Sequence, residues 1–225
     1  LKKGKSVILL EKEKDFGTGI SSRNTETIHA GIYYKKDSLK SELCIKGKDL
    51  IYSFCNKFKI KYRKTGKIFI AVNKKDISRL DKIKSQGEQN GLSDLELLNK
   101  SQINKIEPNI RAEAGLLSPS SGVIDSYGLI QTLMNLCKDN GLNYSSFAEV
   151  NGAEPSKDAW ITNIYDKKNN LNYEIQSNVV INAAGLYSID LSKKIFSERK
   201  IPILKPTKGA YLKYIGKSPF KHIIY

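Results

Sequence analysis

Apolar positions along this chain fall alternately into short unbroken runs and helical stripes, and their order predicts an α/β (α+β) protein. Ser6 to Glu13 (SVILLEKE) is a brief apolar run ending in acid, the pattern of a buried parallel strand with a ligand at its carboxyl end. Asp37 or Ser38 can cap a helix running to about Phe58, whose Leu39, Leu43, Leu50, Ile51, Phe54 and Phe58 fall mostly on one stripe. Lys67 to Val72 reads as a strand, Asp76 to Asn90 as an exposed helix closed by Gly91, and Asn99 to Ile106 as a short helix stopped before Pro108. Turn chemistry over Ser118 to Asp125 (SPSSGVID) leads into an amphipathic helix marked by Leu129, Leu133, Leu136 and Cys137 and ended by Gly141. Strands follow near 147–150, 159–165 and 171–176, and Asn178 to Ala183 (NVVINA) predicts a second fully buried strand before a helix over Leu186 to Phe196. From Ile201 the pattern is extended again, through Lys208 to Tyr214 and Lys221 to Tyr225.

The connection Thr18 to Tyr34 (TGISSRNTETIHAGIYY) is too polar and glycine-broken to be core. Gly17-Thr18-Gly19 is not the dinucleotide fingerprint, which must open a helix directly off its strand so that the helix amino terminus faces a pyrophosphate. If Ser6 to Glu13 is instead the second strand of a mononucleotide-binding unit, the acid at its end can accept from a ribose hydroxyl pair. Glu11 is the better placed and Glu13 the next. That register puts the first strand, its GxGxxG turn and the first helix upstream of Leu1, so the chain is expected to be truncated at its start. His29, one of two histidines, is the natural base because imidazole titrates near neutrality.

Charge and composition narrow the classes. A formal charge of +15 invites a nucleic-acid reading, yet lysines are scattered over every segment, and no basic stripe interleaves with aromatics as a stacking platform requires. The excess reads instead as solubility and an attraction to anionic substrates or acidic lipid surfaces. Three cysteines without CxxC spacing and two histidines build neither a disulfide framework nor a metal site. No apolar run approaches the ~20 residues of a membrane span, and the amino-terminal apolar core is too short for a signal peptide. A cytoplasmic location is therefore expected, with a peripheral place on the inner face of the cytoplasmic membrane left open by the lysines.

SSRNTETIHAGIYY, followed in order by KGKDLIYSFCNKF, GKIFIAV, LSPSSGVID, VVINAAGLYS and KGAYLKY, resembles the FAD-dependent L-2-hydroxyglutarate dehydrogenase and oxidase family. That family is a branch of the D-amino-acid oxidase and glycerol-3-phosphate dehydrogenase superfamily. The likeness covers nearly the whole chain, and its motifs are specific in combination. It implies FAD as cofactor, oxidation of L-2-hydroxyglutarate to 2-oxoglutarate by hydride transfer, and quinone or oxygen as electron acceptor. The implied fold is a Rossmann-like FAD-binding domain (1–65 and 116–197) interleaved with a mixed-sheet substrate domain (66–115 and a truncated 198–225), and the chain alone, without the GxGxxG unit, is expected to be inactive.

Against that chemistry Ser21 and Ser22 are donors for the pyrophosphate, Arg23 neutralises it, and Asn24 holds the loop or reaches the cofactor. The likeness carries flavin contact to Ala183, Ala184 and Gly185, and adenine contact to the Val150 backbone. Tyr33 and Tyr34 match a pair that includes a substrate-binding residue in the glycerol-phosphate branch, while Lys208 and Tyr211 lie on a strand that can face substrate. Two alternatives remain: a sister enzyme acting on glycerol 3-phosphate or an amine or amino acid, and a basic nucleic-acid-binding module.

Overall fold

The computed structural model of the chain describes residues 4–196 and 201–225. In chain order its elements are β1 (Ile8–Leu10), β2 (Thr27–Ile28), α1 (Leu39–Phe58), β3 (Tyr62–Arg63), β4 (Lys67–Ala71), α2 (Ile77–Gln89), β5 (Glu96–Asn99), α3 (Lys100–Ile106), β6 (Ala114–Ser118), β7 (Gly122–Ile124), α4 (Ser126–Asp139), β8 (Asn143–Ser145), β9 (Ala148–Ser156), β10 (Ala159–Asp166), β11 (Leu171–Ser177), α5 (Ser188–Ile195) and β12 (Ile223–Ile224). They form two compact units, one made of residues 1–24 and 130–211, the other of 25–129 and 212–225. The resemblance implies domain crossings at 65/66, 115/116 and 197/198; in the division into these two units, α1 packs through Cys55 onto Ile28, Ile60 and Ile124, all residues of the second unit.

In the first unit β1 pairs in parallel with β8, and β9, β10 and β11 form an antiparallel meander. The polar turn between β10 and β11 is fixed by Asp166, whose Oδ1 accepts from the backbone N–H groups of Lys168 (2.8 Å) and Asn169 (3.0 Å). Val150 sits on β9 immediately before a bulge, where the register against β10 shifts at Asn163/Ile164.

In the second unit β4 is paired antiparallel with β6 and parallel with β12, and β5 closes the far side of β6. A smaller sheet, β2-β7-β3, carries the segment that enters the loop containing His29. Phe69, Ala71 and Leu116 from the larger sheet meet Leu80, Leu92 and Leu95, and Ala30 and Ile32 join the same core. α1 begins where expected, with the Ser38 side chain accepting from Ser41 N, and α3 carries a capping box in which Asn99 and Gln102 cap each other.

The connection Thr18 to Tyr34 is expected to lie outside the core, but its Ile28, Ala30 and Ile32 are buried in it. Four more expectations are overturned. Leu39, Leu43 and Leu50 of α1 are all more than half exposed, while Ser41 and Cys55 on the other side of the helix are buried. The run 178–183 forms no strand, and Val179 and Ile181 are 70% and 83% exposed. An unbroken apolar run specifies burial only where a neighbouring strand supplies ladder partners, and none pairs with it among the described residues. For the same reason Lys208 and Tyr211 lie on no strand and are exposed. β1 is shorter than Ser6 to Glu13, and Ile8 and Leu9 are exposed at 42% and 39% instead of buried.

Candidate functional site

In the second unit the loop after β2 brings His29, Tyr33 and Tyr34 together. Gly31, at φ +91°, makes the turn, and a Cβ there would stand 2.9 Å from Ile45 Cγ1. The loop is then pinned from α2: Asn90, the residue that ends that helix, donates its side-chain amide to the carbonyls of Gly31 (3.0 Å) and Tyr34 (2.9 Å). Cys44 on α1 donates its thiol to the His29 carbonyl at 3.3 Å. With its backbone fixed at these points, the His29 ring is half-buried, and its Nδ1 lies 3.5 Å from the Tyr33 hydroxyl. Burial, and then the positive charges of Lys67 and Lys40, hold the imidazole below its ordinary pKa. The ring is therefore neutral at pH 7 and free to accept a proton. Burial pushes the Tyr34 hydroxyl up to about 12, with the neighbouring Tyr33 adding to it, so that group serves as a donor and not as a base.

Two further residues of this cluster are not among the site residues the sequence suggests. Lys67, the first residue of β4, is 4% exposed, and its Nζ lies 5.9 Å from the Tyr33 ring centroid, 5.4 Å from Phe69 and 4.9 Å from Tyr225. Tyr225 arrives because β12 runs alongside β4: Tyr225 N donates to Ile68 O and Ile70 N donates to Tyr225 O, both at 3.0 Å. Its ring stacks on Tyr33 at 6.3 Å with only 10° between planes. The segment leading into β12 is gripped by Glu107, whose Oε1 accepts from Lys221 N, His222 N and His222 Nδ1, each at 2.7 Å. A lysine inside a strand pattern normally reads as solvated, which is why Lys67 does not stand out along the chain; the one available signal is its place opening the apolar run KIFIA.

In the first unit, Glu11 follows β1 directly. Its backbone N–H donates to Ser145 O and its carbonyl accepts from Ala148 N, both at 2.9 Å, which sets it beside the start of β9, two residues before Val150. Its Oε1 accepts from Glu13 N at 2.9 Å, and its Oε2 has no hydrogen bond among the described residues. Ala183, Ala184 and Gly185 form an exposed turn held by Asn182, whose amide donates to Ser188 O (2.7 Å) and whose Oδ1 accepts from Ala184 N (3.2 Å). Lys12, next to Glu11, places its Nζ 3.1 Å from the ring centroid of Tyr187, so the same neighbourhood holds Glu11, the start of β9 and the small-residue turn. The 18–24 loop is internally bonded. Ser22 Oγ donates to Thr18 O (3.0 Å) and Gly19 O (3.1 Å), Arg23 Nη1 to Ser22 O (3.3 Å), and Asn24 Nδ2 to Ser21 O (2.8 Å). Ser21 is exposed. Lys208 is exposed and is grouped with this unit, not with His29.

Comparison with known proteins decides the family. Residues 1–224 match the family model described as FAD dependent oxidoreductase, DAO. The chain belongs to the FAD dependent oxidoreductase family. Among curated relatives, it is 31% identical over 252 residues to the mitochondrial L-2-hydroxyglutarate dehydrogenase of Arabidopsis thaliana, covering 99% of this chain and 52% of that protein. It is 33% identical over 213 residues to the protein of the same name from Homo sapiens, covering 92% and 46%. The chain thus spans about half the length of the curated relatives it matches. Among solved structures, the FAD-bound L-α-glycerophosphate oxidase of Mycoplasma pneumoniae superposes with a TM-score of 0.75 at 24% identity, over 84% of this chain and 50% of that one. Glycine oxidase from Geobacillus kaustophilus gives 0.74 at 16% identity, over 86% and 52%. These likenesses confirm the fold, that of the family's FAD-binding oxidases and dehydrogenases.

For a chain of the FAD dependent oxidoreductase family, the first unit has groups that suit the cofactor. Glu11 offers an unengaged carboxylate oxygen at a strand end. Gly185, at φ +57°, has no atom within 4 Å of where a Cβ would stand, which leaves the turn's backbone open to a ligand. The expected location needs correction. The matching L-2-hydroxyglutarate dehydrogenases are named mitochondrial, which speaks against the expected cytoplasm or inner face of the cytoplasmic membrane. A cytoplasmic address rests only on the lack of a span and a leader in the sequence, and such a lack carries no address.

Proposed function

We propose that this chain takes part in the oxidation of L-2-hydroxyglutarate to 2-oxoglutarate with FAD as the electron acceptor. The observation that supports the reading best is the alignment of 91–99% of the chain with several proteins bearing that enzyme's name. The second unit adds chemistry that suits it. Oxidising the substrate at C2 removes a hydride from carbon and a proton from the hydroxyl oxygen. FAD, when bound, supplies the two-electron acceptor. The proton falls to His29, which is held neutral at pH 7, and whose Nε2 makes no hydrogen bond among the described residues while Nδ1 faces Tyr33. Tyr34, kept protonated to about pH 12, and Tyr33 are donors for substrate oxygens. In the first unit Glu11 accepts from the ribose, the Val150 backbone faces adenine, and the turn Ala183 to Gly185 lies against the flavin.

The test is anaerobic mixing of FAD-loaded protein with candidate substrates, read as bleaching of the visible flavin band. L-2-Hydroxyglutarate should bleach it and the D enantiomer should not. Bleaching by glycerol 3-phosphate or a secondary amine, with none by the hydroxy acid, moves the assignment to a sister activity.

A further inference from the structure

We infer that Lys67 is the receptor for a carboxylate of the substrate, a cation kept without a counter-ion in an aromatic box beside the base until the substrate brings one. The inference rests on the proposed reading of a dicarboxylate substrate. Lys67 is 4% exposed, yet no aspartate or glutamate lies within ion-pair distance of its Nζ among the described residues. The lysine buries its stem while its Nζ, which is not among the fully buried unpartnered atoms, stays accessible at an opening among the rings, and partial desolvation lowers its pKa. What surrounds the nitrogen is the faces of Tyr33, Phe69 and Tyr225, which stabilise a cation only in part. A chain that needed only to fill this volume would place an apolar residue at the head of β4, as it does at Ile68 and Phe69. A cation held partly desolvated among aromatic rings, without a counter-ion and with its nitrogen still accessible, is placed to receive an anion that arrives from outside.

The neighbours say which anion. Lys67 Nζ lies over the ring of Tyr33, whose hydroxyl is 3.5 Å from His29 Nδ1, so cation and base flank the same tyrosine and can meet one small ligand. The charge on Lys67 is also felt at His29. A 2-hydroxy acid suits both, because it carries on adjacent carbons a carboxylate and a hydroxyl that must give up its proton. The other titratable groups shown against His29 are Lys40 and Cys44 from α1 and Tyr33 from its own loop. No carboxylate is among them, so none of them pairs with Lys67 before substrate binds. When a carboxylate does so, the field on His29 relaxes and the imidazole becomes more basic, which strengthens the base as the substrate arrives.

The experiment follows the side-chain NMR signals of Lys67 Nζ and the His29 ring in the full chain while glutarate, a non-reacting dicarboxylate, is titrated in. Lys67 Nζ should shift, and the His29 pKa should rise with saturation. Lys67→Met should weaken glutarate binding about tenfold to a hundredfold. It should also raise the His29 pKa in the absence of ligand and abolish any further rise on adding glutarate. Lys67→Arg, which keeps the charge, should restore much of the binding. Unchanged glutarate affinity and unchanged His29 titration in a folded Lys67→Met protein would overturn the inference, as would glutarate binding to the native chain with no response at Lys67 Nζ. Binding of inorganic phosphate at Lys67 with none of glutarate overturns the carboxylate assignment. Lys67-dependent binding of L-lactate with none of glutarate supports the carboxylate receptor while refuting L-2-hydroxyglutarate as the substrate, so the two readings fail separately.

Discussion

Glu11 and Glu13 are two carboxylates on one short stretch of chain, and their surroundings give them different work. Glu11 is half-buried, with Oε2 unengaged, whereas Glu13 is exposed and its carboxylate lies 3.9 Å from Lys12 Nζ. If Glu11 holds the ribose, Glu11→Ala removes charge-assisted hydrogen bonds worth about 1.5–3 kcal/mol, and FAD affinity falls about tenfold to a hundredfold in a fluorescence titration. Glu13→Ala should stay within about twofold, since an exposed ion pair contributes little. Loss of affinity in the second variant but not the first would shift the ribose acceptor by two residues. Side chains such as these are legible along the chain because residue type alone announces their chemistry: an acid closing a strand, or His29 in a loop of hydroxyls and amides. Lys67 and Asn90 are not legible in that way, because tertiary burial creates their roles. One lysine among many becomes the cation inside an aromatic box, and an amide that ends α2 becomes the anchor for the Gly31 and Tyr34 carbonyls.

Helices and antiparallel strands can be read from the sequence where their patterns are local: caps at Ser38 and Asn99, stops at Gly91 and Gly141, a polar turn between β10 and β11. What fails depends on partners far away in the chain. The leucines of α1 face solvent because the helix turns Ser41 and Cys55 to the core, and 178–183 has no ladder partner among the described residues. β12 is the opposite case, two residues whose importance comes from Glu107, a fully buried carboxylate 115 positions from His222 in the chain. Burial opposes ionisation of Glu107, but the His222 ring and the N–H groups of His222 and Lys221 outweigh it, so its pKa is lowered on folding. A carboxyl with a lowered folded pKa contributes stability that is present above its unfolded pKa and lost as pH falls through the folded value. Unfolding by urea should therefore show the second unit weakening as pH drops below about 4, given an ordinary glutamate pKa of roughly 4.3. Glu107→Gln should cost about 1.5–3 kcal/mol at pH 7 and remove most of that acid dependence. A variant as stable as the parent at pH 7, or one with the same acid dependence, would show that the clasp on β12 is not held by this charge.

Across the molecule as a whole, the order of motifs carries the family likeness, while the division into units is hidden, since the chain crosses from one to the other at 24/25, 129/130 and 211/212 and no Gly- or Pro-rich linker marks the places. The scattered lysines acquire a role distinct from that of Lys67. A chain with 38 basic against 23 acidic residues attracts a dianion from a distance, but over exposed charges that attraction is screened once the Debye length falls from ~30 Å at 0.01 M salt to ~10 Å at 0.1 M. Lys67 has its stem buried and its nitrogen set among aromatic rings, so a carboxylate held there would be screened less than one at the exposed lysines. Glutarate affinity of the native chain should fall several-fold across that salt range. Reversing the exposed pair Lys35 and Lys36 to Glu should flatten the salt dependence and weaken binding mainly at low salt. Lys67→Met should lower affinity at every salt concentration while leaving the slope nearly unchanged. If instead the slope disappears with Lys67 and survives the reversal at 35 and 36, the salt response belongs to the buried cation, and long-range attraction by the lysine surface plays no part in bringing the substrate in.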